Sequence, residues 1–121
     1  MSYMISFKVK VEGLKDRFVR VRNPDATITW NLRKMITMST GLEWNNEANN
    51  GLCADVIPYI SKGLNELHKY PQKYKQYEPE NDWGTIEDCK KFFINILMAW
   101  DKFSTDILTA DLAPVTYFWI E

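Results

Sequence analysis

Ile86, Cys89, Phe93, Ile96, Trp100 and Phe103 recur at steps of three and four residues, a pattern that puts them all on one side of a helix. Immediately before this seam, Thr85 and Asp88 stand three apart as a capping box, with Asp in place of the longer Glu. The spacing predicts one amphipathic helix from about 86 to 104, whose apolar side must be covered by the chain's own core or by a second copy. The amino-terminal part has a different period. Ile5, Phe7, Val9 and Val11 alternate with Ser6, Lys8 and Lys10, and Val19 and Val21 alternate with Phe18, Arg20 and Arg22. Glycine-containing residues 12–16 join the two runs, so an antiparallel hairpin is expected. Residues 115–120, dense in β-branched and aromatic side chains, predict a last strand that joins it. The expected class is α+β: a small antiparallel sheet, made of the amino-terminal hairpin and the carboxy-terminal strand, packed against about three helices. With 121 residues the chain has the length of a single domain, 1–121.

Asn23-Pro24-Asp25 ends the hairpin, and a short extended piece over 26–30 leads to a helix at 32–39, with Asn31 as its N-cap and Gly41 as its stop. Residues 43–50 carry four asparagines around Trp44, a composition that favours turns, so this stretch reads as a loop. Leu52, Val56, Ile60, Leu64 and Leu67 share a helical face that runs to Pro71, with Pro58 inside it. Tyr70, Tyr74 and Tyr77 follow in a polar helical turn. Phe92–Leu97 is broken by Asn95, and no apolar run approaches the ~20 residues of a spanning helix. The amino end has no apolar stretch followed by a small-residue cleavage site, which points to an intracellular protein with no membrane partner.

Few residues here are equipped for catalysis. Cys53 and Cys89 form no CxxC pair, and His68 is the only histidine, so no zinc set arises. Glu78, Glu80, Asp82, Glu87 and Asp88 surround Trp83 without EF-hand spacing and read as a solvated cluster ahead of a helix. The glycines are scattered and make no phosphate loop. The chain is therefore expected not to be an enzyme, with no catalytic residue, metal site or cofactor, the alternative being a signal-degrading enzyme that uses the acidic cluster with a metal.

Charge and aromatic content suggest binding instead. Residues 1–40 hold eight basic and three acidic residues and the remainder seven and 13, so a net charge of -1 conceals a +5 part joined to a -6 part. Strand alternation gathers Lys8, Lys10, Arg20 and Arg22 on one hairpin face, and arginine pairs suit phosphate. The acidic part would repel an extended polyanion, so a small phosphorylated ligand is expected and a long nucleic acid is not. Trp30, Trp44 and Trp83 each lie at an element boundary among Asn, Asp or Gly, where an indole can stack on a base.

Thr27-Ile28-Thr29-Trp30-Asn31-Leu32 and Glu78-Pro79-Glu80-Asn81-Asp82-Trp83-Gly84-Thr85 stand before the first and last helices. With Gly41-Leu42-Glu43-Trp44, Asn49-Asn50-Gly51-Leu52-Cys53 and residues 60–67, they resemble a group of small tailed-bacteriophage and prophage proteins. In that group a Thr-x-Asn segment and an Asn-Gly-Trp-Gly-Thr segment bracket two helices. The resemblance covers about residues 23–104, and this chain departs from it with Asp82 where the group usually has Gly. It implies a viral origin and action in the host bacterial cytoplasm. By analogy with small accessory phage proteins, it also implies antagonism of bacterial immunity, by sequestering a nucleotide signal or by stoichiometric inhibition of a host protein. The candidate ligand-binding residues are Arg20, Arg22, Trp30, Asn31, Trp44, Asn50, Trp83 and Thr85, and a homo-oligomer through the 86–104 helix would build shared pockets.

Overall fold

The computed structural model describes residues 2–14, 17–44, 48–81 and 83–121. Strand β1 (Ser2–Lys10) runs through the middle of a five-stranded antiparallel sheet. Along one side its first half pairs with β3 (Thr27–Thr29) and its second half with β2 (Phe18–Arg22). On its other side lies β5 (Thr116–Ile120), and outside that β4 (Ala48–Leu52). The expected α+β architecture is present, with more strands than the sequence pattern indicates. Residues 48–52, expected as loop and helix start, pair as β4 because the neighbouring β5 edge supplies hydrogen-bond partners. Residues 45–47 of that expected loop lie outside the described residues.

The chain between β3 and β4 forms a 3-10 turn at Trp30–Leu32 and helix α1 (Arg33–Thr40). Asn31 is not the N-cap expected of it. The side chain of Thr29 takes that part, its hydroxyl accepting from the Asn31 N–H at 3.4 Å, because the 3-10 turn starts the helical path two residues earlier. Gly41 ends α1 in the left-handed region (φ 79°) and donates its N–H to the Thr37 carbonyl at 2.9 Å.

Helix α2 (Cys53–Lys69) continues through Pro58, beyond its first turn, and is followed by α3 (Pro71–Tyr74) and a 3-10 turn at Lys75–Tyr77. Helix α4 (Ile86–Thr105) then crosses beneath the sheet, and a 3-10 segment at Ala110–Val115 returns the chain to β5. The helices pack on the sheet face that carries Ile5, Phe7, Phe118 and Ile120, all fully buried. Phe7 meets the rings of Trp100 and Phe103 at 5.7 and 6.1 Å, so the α4 seam is consumed by the chain's own core. Ile94 and Met98 are the large apolar side chains that α4 leaves exposed. At Gly63, a Cβ would stand 2.6 Å from Thr40 Cγ2 and 3.0 Å from Phe93, and this absence of a side chain lets α2 approach α1 and α4 together. Among the described residues no helix is long and apolar enough to cross a membrane.

Candidate functional site

The N-terminus of α4 is held by three bonds, which account for much of the acidic cluster. Thr85 Oγ1 accepts from the Asp88 N–H and Asp88 Oδ2 accepts from the Thr85 N–H, each at 3.1 Å, while Glu78 Oε2 accepts from the Ile86 N–H at 2.8 Å. These carboxylates satisfy amides that the helix leaves open, and their negative charge suits the positive end of its dipole. Among the described residues no three acidic, histidine or cysteine side chains are grouped so as to hold a metal ion. Immediately before this cap, the Trp83 N–H donates to Asn81 Oδ1 at 3.1 Å, and the indole stands out into solvent, 69% exposed.

Between α4 and β3 lies a cleft of about 580 Å³. Trp83 and Gly84 form one end, Thr27 and Thr29 one wall, and Asp88, Lys91 and Asn95 the other, with Asp25 alongside. A second cleft of about 270 Å³ shares Asp25 and Asn95 with the first and adds Arg22, Met98 and Lys102. The two make one groove along α4, with an indole at one end and Arg22 and Lys102 at the other. Asp25 sits at its middle with φ 58°, its N–H donating to Asn23 Oδ1 at 2.9 Å, and its carbonyl accepts from Asn95 Nδ2 at 3.4 Å. Arg22 Nε is buried and has no hydrogen-bond partner among the described residues.

Arg22 reaches the groove because of a bulge. Lys8 stands opposite Arg20 but Phe7 opposite Arg22, so Val21 is an extra residue in β2. That one-residue slip turns Arg22 from the expected basic face toward the helices. Arg20 stays on the outer face, where Glu121 Oε2 accepts from its guanidinium at 2.8 Å. The two arginines therefore do not form the pair that alternation implies.

The other candidates disperse. Trp44 is 1% exposed and packs edge-on against Tyr3, Phe92 and Phe118, so it belongs to the core rather than to a ligand surface. Trp30 is 39% exposed and stacks on Tyr3 at 5.7 Å. Asn50 lies in β4 beside Trp44, along a cavity of about 30 Å³. Thr85 is the helix cap, and Asn31 contributes its backbone N–H to the Thr29 cap. Of the eight, Trp83 lines the larger cleft and Arg22 the smaller one that adjoins it at Asp25 and Asn95. Groove residues absent from those eight candidates include Asp25, Thr27, Thr29, Asp88, Lys91, Asn95 and Lys102. Four positions carried a signal: Asp88, Lys91, Asn95 and Lys102 follow a helical period beside the apolar seam.

No family model, curated protein or solved structure matches the chain. Two of the segments quoted for the phage-protein resemblance face one another here. Thr27, Ile28 and Thr29 line the cleft opposite Trp83 and Gly84, and a Cβ on Gly84 would meet Leu32 Cγ at 2.8 Å.

The cleft's titratable side chains are Asp25, Asp88 and Lys91, and Asp88 is engaged in the helix cap. Both thiols are far from reactive: burial pushes the Cys53 pKa up, and burial together with the Asp88 charge pushes that of Cys89 up.

Proposed function

We propose that this chain is a non-enzymatic binding protein that holds a small phosphorylated, nucleotide-like ligand in the groove along α4. The carrying observation is the polarity of that groove: an exposed indole at one end, and an unpartnered Arg22 Nε with Lys102 at the other. A base stacks on Trp83, its edge meets Thr27, Thr29 and Asn95, and its phosphate reaches the guanidinium. A cleft of about 580 Å³ falls within the ~300–1,000 Å³ range of small-ligand sites. In keeping with the phage-protein resemblance, the ligand is an immune signal of the host, sequestered intact in the bacterial cytoplasm, and the biological outcome is antagonism of antiphage defence.

The test is calorimetry against cyclic dinucleotides, cyclic trinucleotides and ADP-ribose derivatives, with chromatography of the recovered ligand. Saturable micromolar binding with intact ligand is expected. Trp83→Ala is expected to weaken it roughly five- to hundredfold, the range that loss of one base stack implies. Absence of saturable binding across the panel removes the proposal, and new products in the recovered ligand replace it with an enzyme.

A second reading is a stoichiometric inhibitor of a host protein. It is favoured by Ile107 and Leu108, which are 92% and 86% exposed in the turn after α4, where such side chains serve as docking anchors. A pull-down from host lysate that retains one protein stoichiometrically, lost on Ile107→Asp, supports this reading over the first.

A further inference from the structure

The sheet face turned away from the helices has its own composition. The register puts Lys8 between Arg20 and Tyr117, Ser6 beside Trp119, and Lys10 beside Phe18. Phe18 leans across β1, with its ring centroid 5.3 Å from that of Tyr117 and 5.2 Å from that of Trp119. The Lys8 ammonium lies 4.4 Å from the centre of the Trp119 ring. All three aromatic side chains are half-buried, so each keeps part of its surface exposed. Around them stand Lys8, Lys10 and Arg20.

Two described acidic groups adjoin this cluster: Glu12 shares a shallow depression with Lys10 and Tyr117, and Glu121 lies among Ser6, Lys8 and Arg20. The Glu121 carboxylate accepts from Ser6 Oγ at 3.1 Å and from Arg20 at 2.8 Å, and it pairs with Lys8. Lys10 has no ion pair among the described residues. The described acidic residues after residue 40, Glu121 aside, lie on the helices and their connections, and the helices pack on the opposite sheet face. Repulsion of an extended polyanion, which the chain-wide charge count implies, is therefore weak here, since exposed charges are screened beyond ~8 Å at physiological salt.

We propose that this open face binds a short single-stranded nucleic-acid segment. Aromatic side chains on neighbouring strands accept successive bases by stacking, and cations beside them follow the phosphates. Strands β2, β1 and β5 together span about 10 Å at the usual inter-strand spacing, room for two or three nucleotides. A duplex is a poor occupant, because its bases are already stacked on one another. Glu121 limits the affinity by neutralising Lys8 and Arg20, so it acts as a brake on the site. This inference is independent of the groove along α4.

Fluorescence anisotropy with labelled single-stranded dT12 and U12, against a duplex of equal length, tests it at ~50 mM and higher salt. Saturable binding of the single strands, weakened by salt and stronger than that of the duplex, is expected. Phe18→Ala should weaken it roughly fivefold or more, as one lost stack implies. Glu121→Gln should tighten it roughly threefold or more by freeing two cations. That gain also distinguishes the proposal from mere loss of folding, which only weakens binding. No saturable binding by 100 µM protein, equal affinity for the duplex, or a Glu121→Gln variant that fails to tighten overturns the inference. Loss of oligonucleotide binding in Trp83→Ala moves the site to the groove and overturns it as well, whereas failure of the calorimetric panel leaves this face untouched.

Discussion

Thr85 illustrates how one residue supports two readings that differ in what they predict. Its hydroxyl and the Asp88 carboxylate cap each other's amides, so its side chain is committed to starting α4. Thr85→Ala should therefore cost roughly 0.5–2 kcal/mol of stability, read as a shift in the urea midpoint, with little change in the affinity of any groove ligand. Trp44 makes a similar point. Its boundary position among asparagines suggests an exposed indole, yet it is 1% exposed, and its contacts come from β1, α4 and β5. Partners so distant in sequence leave no local trace, so burial of this residue was not legible. The cap was legible, because both its members lie within four consecutive residues.

Helices were readable where their covering layer did not matter. The seam of α4 identifies its buried side without reference to what covers it, and Cys89, Phe93, Ile96 and Phe103 are all buried as that period requires. Close contact between helices adds a condition that periodicity omits. A Cβ at Gly63 would stand 2.6 Å from Thr40 Cγ2 and 3.0 Å from Phe93, so Gly63→Ala should overpack the junction of α1, α2 and α4. A loss of roughly 1–3 kcal/mol in chemical denaturation is expected. Strands behaved less simply. The alternation of β2 is clear in sequence, but the bulge at Val21 moves Arg22 from one side of the sheet to the other. β4 was hidden for a related reason: Ala48-Asn49-Asn50-Gly51-Leu52 has little strand propensity and pairs because the β5 edge needs partners.

Across the whole molecule, the sheet's outer face gathers Lys8, Lys10 and Arg20 around Glu121, and that carboxylate gives the face a pH dependence. Partial burial works to raise its pKa, but the bonds from Lys8, Arg20 and Ser6 outweigh this and hold it below the ordinary glutamate value. A carboxyl depressed on folding stabilises the fold above its unfolded pKa, and the contribution is lost as pH falls through the folded value. Wild type should therefore exceed Glu121→Gln in urea midpoint at neutral pH, and the gap should close as pH drops below about 4. A gap that persists at low pH would assign the difference to packing instead. The local periods of the sequence determined the class, the hairpin, the α4 cap and seam, and the closing strand, because each depends on residues a few positions apart. Only the tertiary structure decided which tryptophan is buried, which arginine faces the helices and which polar residues line one groove. Those outcomes depend on bulges, edge pairing and contacts between segments up to a hundred residues apart, which no local spacing encodes.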